Sequence, residues 1–377
     1  MKMFYENGLY ITTSSLAPGS GGGNVALHEA RALQQFFEGA TEQITPYARR
    51  LNVLCWDRNS ILSGEVKCRE IPEPAEPWLW DYLTMSSAED INVKIAHIFG
   101  NPFGYTAKAL KRNGAKIIVT VPAHNLEESI AEFKRFKIPY NYSHMTDPFL
   151  WSLYTKHIRE ADVVVCPSRM SAEWLKKKLG LVNRVVVIPH GCDLPAKVEP
   201  IPKNFEVAYT GQVGPDKGII YLLQAWKIFQ DSYPSEVLTL SGSPPEYYTP
   251  WLRFVPGINT SIPGYVPNVS QIYNNCSVYV QPSVTEGFGL EVLEAMSYGR
   301  PVIVSSGAGA SDLVTDGFDG FIVPPRNPEA IADKLRYFRN QPELIVDMGK
   351  RAREKALNYS WDEIEGRYRT LYRETLR

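Results

Sequence analysis

Short, continuous apolar runs rich in β-branched residues recur along this 377-residue chain, each followed by a longer stretch of helical character. Leu51–Cys55, Ile95–Phe99, Lys116–Val121, Asp162–Cys166 and Arg184–Ile188 are such runs in the first half. Glu206–Thr210, Val237–Ser241, Val278–Gln281, Pro301–Ser305 and Gly320–Val323 continue the series. A strand that is apolar on both faces must be covered on both, which is the situation of a parallel sheet between helices. Helices are predicted over Asn24–Phe37, Thr106–Arg112, Glu127–Phe136, Ser168–Leu179, Ile219–Gln230, Leu290–Tyr298, Pro328–Phe338 and Pro342–Leu357. The alternation predicts an α/β chain of two doubly wound domains.

The seam between them is Gly191–Asn204, where three prolines interrupt any apolar period. The first domain is expected over 1–195 and the second over 196–359. A last helix over 360–377 carries Trp361, Ile364, Tyr368 and Leu371 on one face. The Pro-rich stretch Ile71–Pro77 reads as a surface loop. Lys and Arg number 40 against 41 Asp and Glu, and neither half is basic enough for duplex nucleic acid. Five widely spaced cysteines without a C-x-x-C pair argue against a disulfide framework or zinc knuckle and suit a reducing cytoplasm. No apolar stretch approaches the roughly 20 residues of a spanning helix, and none follows Met1 as a signal core. Lys134, Arg135, Lys137 and Lys176–Lys178 leave peripheral contact with an anionic membrane open, although solvated helix faces explain them equally.

The segment Val280–Ser305, VQPSVTEGFGLEVLEAMSYGRPVIVS, carries the most chemistry. It reads as strand, glycine-containing loop, helix and strand. Gly287 and Gly289 permit a sharp turn and leave amides uncovered beside a helix start, a setting for anionic or hydroxyl-rich ligands. Glu286 in that loop suits a sugar, and Glu294 in the helix suits the paired hydroxyls of a ribose. Glu291 is explained by the helix dipole alone. No cluster has metal-ligand spacing, so no metal is expected.

Glu286 and Glu294, with seven residues between them inside EGFGLEVLEAMSYGRPVIVS, resemble the signature of retaining glycosyltransferases of the family-4 kind (glycosyl transferases group 1). That resemblance implies a GT-B fold, two Rossmann-like domains facing across a cleft. The last helix would cross back to the first domain. It extends to Tyr209–Gly218, YTGQVGPDKG, which looks like the family's phosphate loop, with Lys217 at the diphosphate-binding lysine. One position departs: Gln212 stands where the family usually has arginine, and two guanidinium bonds to phosphate are lost. Arg169 is a candidate to compensate. His124, in VTVPAHN, matches a histidine facing the donor sugar. Gly22 and Gly23, in Gly19–Gly23, resemble the glycine loop near the donor phosphate. That segment also fits G-x-G-x-x-A, but the acidic residue that would follow, Asp57, lies too far on for a dinucleotide site. Val266, in Tyr265–Pro267, lies where the family touches the base, and a simple turn explains it equally. His97 is read as lining the acceptor cleft or as structural, and His190 as interdomain structure.

The resemblance implies hexosyl transfer from a nucleotide diphosphate sugar to a hydroxyl of a sugar or lipid-linked acceptor, with retention and without a cofactor or metal. Glu286, with the amides of Phe288, Gly289 and Leu290, would hold the hexose. Lys217, with the amides near Gly22 and Gly23, would meet the leaving phosphate. Front-face attack, with the donor phosphate taking the acceptor's proton, is the account the family favours. The other readings are a sugar-nucleotide epimerase of the same fold and a non-catalytic sugar-nucleotide-binding subunit, the latter supported by Gln212.

Overall fold

The computed structural model describes residues 8–12, 21–38, 52–55, 93–99, 104–138, 155–181 and 184–377. Gly19, Asp57 and Ile71–Pro77 lie outside them. The first sheet contains β1 (Gly8–Thr12), β2 (Asn52–Cys55), β3 (Ile95–Phe99), β4 (Lys116–Thr120), β5 (Val163–Cys166) and β6 (Arg184–Val187). Their order is β2-β1-β3-β4-β5-β6, and every pairing is parallel. β3 and β5 are buried throughout, as continuous apolar runs require, whereas Arg184 is exposed on the last strand in the order.

The second sheet contains β7 (Glu206–Thr210), β8 (Val237–Ser241), β9 (Thr260–Gly264), β10 (Val278–Gln281), β11 (Val302–Ser305) and β12 (Gly320–Val323). Its order, β9-β8-β7-β10-β11-β12, reverses direction between β7 and β10. A ligand of a doubly wound sheet binds outside the carboxyl ends of the strands at such a reversal.

The helices are α1 (Gly21–Glu38), α2 (Gly104–Arg112), α3 (Leu126–Arg135), α4 (Arg169–Leu179), α5 (Ile219–Gln230), α6 (Pro245–Leu252), α7 (Ser270–Asn275), α8 (Leu290–Ser297), α9 (Pro328–Asn340), α10 (Pro342–Ala356) and α11 (Trp361–Thr375). Asn125, Ser168, Asn327 and Ser360 cap α3, α4, α9 and α11, each accepting a backbone N–H with its side chain. α5 is apolar almost all round and packs against α9 over the second sheet, with Trp226 and Phe229 fully buried.

α11 packs on α1 of the first domain, burying Trp361, Ile364, Tyr368, Leu371 and Tyr372. At its start the amide of Cys192 donates to the carbonyl of Tyr359 (3.0 Å), and a Cβ on Gly191 would lie 2.7 Å from the Trp361 ring. The chain therefore crosses between domains twice at one place. His97 belongs to this layer. Its Nδ1 meets the Tyr372 hydroxyl (2.8 Å) and its Nε2 the Thr120 hydroxyl (2.9 Å). Buried without exposure, it is structural and does not line a cleft.

Candidate active site

The chain leaves β7 through Gly211–Gly218, a loop held by close main-chain packing. Gly218 has φ +70°, and a Cβ there would lie 2.1 Å from the carbonyl oxygen of Pro282. Only glycine fits both the turn and the approach. Ser243 Oγ accepts from the amide of Val213 (3.1 Å), and the Tyr209 hydroxyl donates to the carbonyl of Gln212 (2.7 Å). The carbonyl of Asp216 accepts from the amide of Val284 (2.7 Å), which ties this loop to the one leaving β10.

That second loop carries Glu286. Its backbone bridges to residues after β11: the Glu286 amide donates to Gly307 (2.9 Å), and the Gly309 amide to Glu286 (3.0 Å). The loop then turns at Gly289, φ +96°, into α8. Among the described residues no acceptor takes the amides of Phe288, Gly289 or Leu290. These N–H groups stand at the positive end of α8, beside the Glu286 carboxylate.

Lys217 and Glu286 form a hydrogen-bonded ion pair. Burial pulls the Lys217 ammonium down, but Glu286, Asp216 and Glu291 outweigh it and hold it above its ordinary value. His124, beyond the carboxyl end of β4 in the other domain, feels the same charges. Burial lowers its pKa, Glu286 and Asp216 pull it back up, and Lys217 opposes them. The imidazole is neutral near pH 7, fit to exchange hydrogen bonds with a hydroxyl.

The domains meet directly around this centre. The Asn125 amide donates to Thr285 Oγ1 (2.9 Å), Ser129 Oγ to Asp216 Oδ2 (3.0 Å) and Ser168 Oγ to the carbonyl of Gly287 (2.8 Å). A Cβ on Gly287 would lie 2.8 Å from the carbonyl oxygen of Pro122. Arg326 pairs with Glu128 and Glu132 across the cleft.

His124, Lys217, Glu286, Gly289, Leu290 and Phe288 are thus brought together. Glu294 lies further along α8, where Tyr273 donates to its Oε2 (2.7 Å) and burial raises its pKa. Gln212 is exposed, with its carbonyl engaged by Tyr209. Gly22 and Gly23 form the first turn of α1 instead of preceding it. Val266 follows β9, two strands from β7. His190 is buried against the Phe288 ring (5.0 Å between centroids). Arg169 is committed elsewhere: its Nε and amide bind the two carboxylate oxygens of Asp312.

Sequence reasoning missed Glu291. Its Oε1 lies 3.5 Å from where a Cβ on Gly211 would stand, so it faces the phosphate loop in addition to sitting near a helix start. Burial first, then the charge of Glu286, lifts its pKa to about 7. The signal was its three-residue spacing from Glu294, which puts both on one face of α8.

Residues 193–355 match the family described as Glycosyl transferases group 1, and residues 66–195 match Glycosyltransferase Family 4. The chain carries the glycosyl transferases group 1 domain over its second half. It is 32% identical over 181 residues to the capsular polysaccharide biosynthesis glycosyltransferase CapM of Staphylococcus aureus, an alignment covering 46% of this chain and 48% of CapM. The chain spans about half the length of the relatives it matches. The fold is GT-B. The sucrose-phosphate synthase of Thermosynechococcus elongatus superposes with TM-score 0.74 at 18% identity, covering 98% of each chain. Anabaena HepE in complex with UDP and glucose does so with TM-score 0.68 at 15% identity, covering 98% of this chain and all of HepE. The glycine-rich loops of the second domain face the first across the cleft. Among the described residues no group of His, Cys, Asp and Glu could hold a metal ion, and no helix is long and apolar enough to cross a membrane.

Proposed function

We propose that this chain is a retaining hexosyltransferase that moves a sugar from a nucleotide diphosphate donor, UDP- or GDP-linked, to a hydroxyl of a glycan or lipid-linked acceptor. The observation that carries the reading is the convergence of His124 from one domain with Lys217, Glu286 and the open amides of Phe288, Gly289 and Leu290 from the other. One centre thereby offers a cation for a diphosphate, a carboxylate and amides for sugar hydroxyls, and a neutral imidazole.

The proposed roles follow from that chemistry. Lys217 stabilises charge developing on the leaving diphosphate, and its effect is strengthened because it is preorganised in a half-dry site. Glu286 accepts hydrogen bonds from hexose hydroxyls while the α8 amides donate to them. His124 binds a further hydroxyl, Glu294 the ribose, and the region of Val266 the base. Gly22 and Gly23 would approach the phosphate from the first domain. No side chain is assigned as a covalent nucleophile; the donor phosphate takes the acceptor's proton as attack occurs on the face it leaves. The domain contact around Gly287 excludes water and limits hydrolysis. No metal or other cofactor is assigned a part.

Relatives support the substrate classes. HepE was seen with UDP and glucose. A Campylobacter jejuni relative, 30% identical over 105 residues, is an N-acetylgalactosaminyltransferase acting on a diphospho-undecaprenol-linked sugar. A lipid-linked acceptor would bring this chain to the cytoplasmic face of a membrane. The test is a panel of UDP-, GDP- and ADP-sugars, following nucleotide release and the anomer of the product. Release of a retained-anomer sugar supports the reading. Inversion at the anomeric carbon overturns retention, and failure to bind any donor overturns the donor assignment and favours a non-catalytic role.

A further inference from the structure

The charges around Lys217 are unbalanced for the ligand proposed above. Asp216 precedes Lys217 in the same loop, Glu286 is hydrogen-bonded to it, and Glu291 and Glu294 stand on the facing side of α8. The cations nearby are committed. Arg169 is paired with Asp312, and Arg326 with Glu128 and Glu132. Gln212 is neutral, and no metal-ligand cluster exists among the described residues to offset the acids. Among the described residues, a diphosphate entering here meets one ammonium group and several carboxylates.

The carboxylates are not equivalent. Glu286 has Lys217, Asp216 accepts from Ser129, and Glu294 accepts from Tyr273. The Glu291 carboxylate has no hydrogen-bond or ion-pair partner on another residue, among the described residues. It is also the one beside Gly211, where the chain leaves β7 and the phosphate loop begins.

We infer that this site takes up the donor diphosphate together with one proton, which Glu291 carries and donates to a phosphate oxygen. The inference rests on the reading of Gly211–Gly218 as a diphosphate loop. A protonated carboxyl replaces a repulsion with a hydrogen bond and does part of the work of the missing arginine.

The groups facing Glu291 do not supply that proton. Tyr209 from β7, Tyr273 from α7 and Tyr279 from β10 are buried phenols held well above their ordinary range. His124 is held low by burial, and Lys217 is held high despite it. Glu286 and Glu294 push Glu291 up, while its own backbone amide and Lys217 push it down. An added phosphate charge raises it further, so proton and diphosphate favour each other by linkage.

UDP-glucose, GDP-mannose and ADP-glucose are the probes, since their diphosphates bear no group titrating between pH 6 and 9. Binding is followed by calorimetry across that range and, near pH 7, in buffers of different ionisation enthalpy. Affinity is expected to fall by up to about tenfold per pH unit above neutrality, with net proton uptake on binding. Glu291→Gln should flatten the profile and bind at pH 8.5 as the unaltered chain does near pH 6, with its thermal unfolding checked. Affinity independent of pH in the unaltered chain, or an unchanged slope in the Gln variant, overturns proton coupling while leaving the donor site standing. No binding by either protein at pH 6 overturns both readings.

Discussion

Lys217 and Glu286 hold each other from two loops that end the neighbouring strands β7 and β10. A donor reaching this centre offers each a new partner, phosphate for the ammonium and hydroxyls for the carboxylate. The pair therefore keeps both groups aligned and half-buried, at the cost of being parted when the donor binds.

Removing either member should be severe and not additive. Lys217→Ala or Glu286→Gln is expected to lower kcat by about 10²–10³-fold, the usual loss of one preorganised electrostatic contact. The double variant should lose much less than the product of the two, because each residue positions the other. Steady-state kinetics on the three proteins, with circular dichroism to confirm folding, makes the comparison. Wild-type turnover in Glu286→Gln would remove it from the sugar site.

Two glycines separate local folding from domain contact. Gly218→Ala introduces a Cβ 2.1 Å from a carbonyl oxygen of its own domain at φ +70°, so stability should fall by about 2 kcal/mol or more. Gly287→Ala puts its Cβ against Pro122 and Ala123 of the other domain. It should leave the melting temperature nearly unchanged while impairing turnover, because the clash is relieved by parting the domains. Equal melting losses in both would show that the contact at Gly287 is integral to the fold.

Acid should destabilise the chain through buried histidines. His97 and His190 have pKa values near 3, lowered from 6.5 by burial. The unfolded chain binds protons that the folded one refuses, so their stabilisation is present above pH 6.5 and is lost progressively as pH falls towards 3. The full loss is roughly 4–5 kcal/mol for each. Denaturant titrations from pH 7 to 4 should show the slope, and His97→Gln should reduce it. A slope unchanged by that substitution would mean that other groups, carboxylates among them, govern acid unfolding.

The sequence made the parallel strands legible because burial on both faces leaves little room for polar residues, as β3 and β5 show. β1 was overlooked: with Gly8 at its start and Thr12 at its end it lacks a continuous apolar run. α6 contains Pro245 and Pro250, residues that disfavour a helical reading, and α7 is too short to display a period. At the site, residues inside recognisable loops were legible by type and spacing. Glu291 was not, because a glutamate in the first turn of a helix already has a sufficient explanation. His97 was open in the sequence between a cleft and a structural role, and α11, arriving from the far end of the chain, covers it and makes it structural.

Gln212 provides a test that adds function instead of removing it. Its side chain is exposed beside the phosphate loop, and its backbone is already fixed by Tyr209. Gln212→Arg should therefore be accommodated without repacking and should add charge-assisted bonds to a diphosphate. A gain of about tenfold in donor affinity, roughly 1.4 kcal/mol, is expected. The gain should be largest above pH 7, where the Glu291 carboxylate is ionised and a second cation offsets more repulsion. Equal affinities for the two proteins throughout that range would mean that the guanidinium does not reach the phosphates, and that this loop presents the diphosphate differently from the arginine-bearing members of the group.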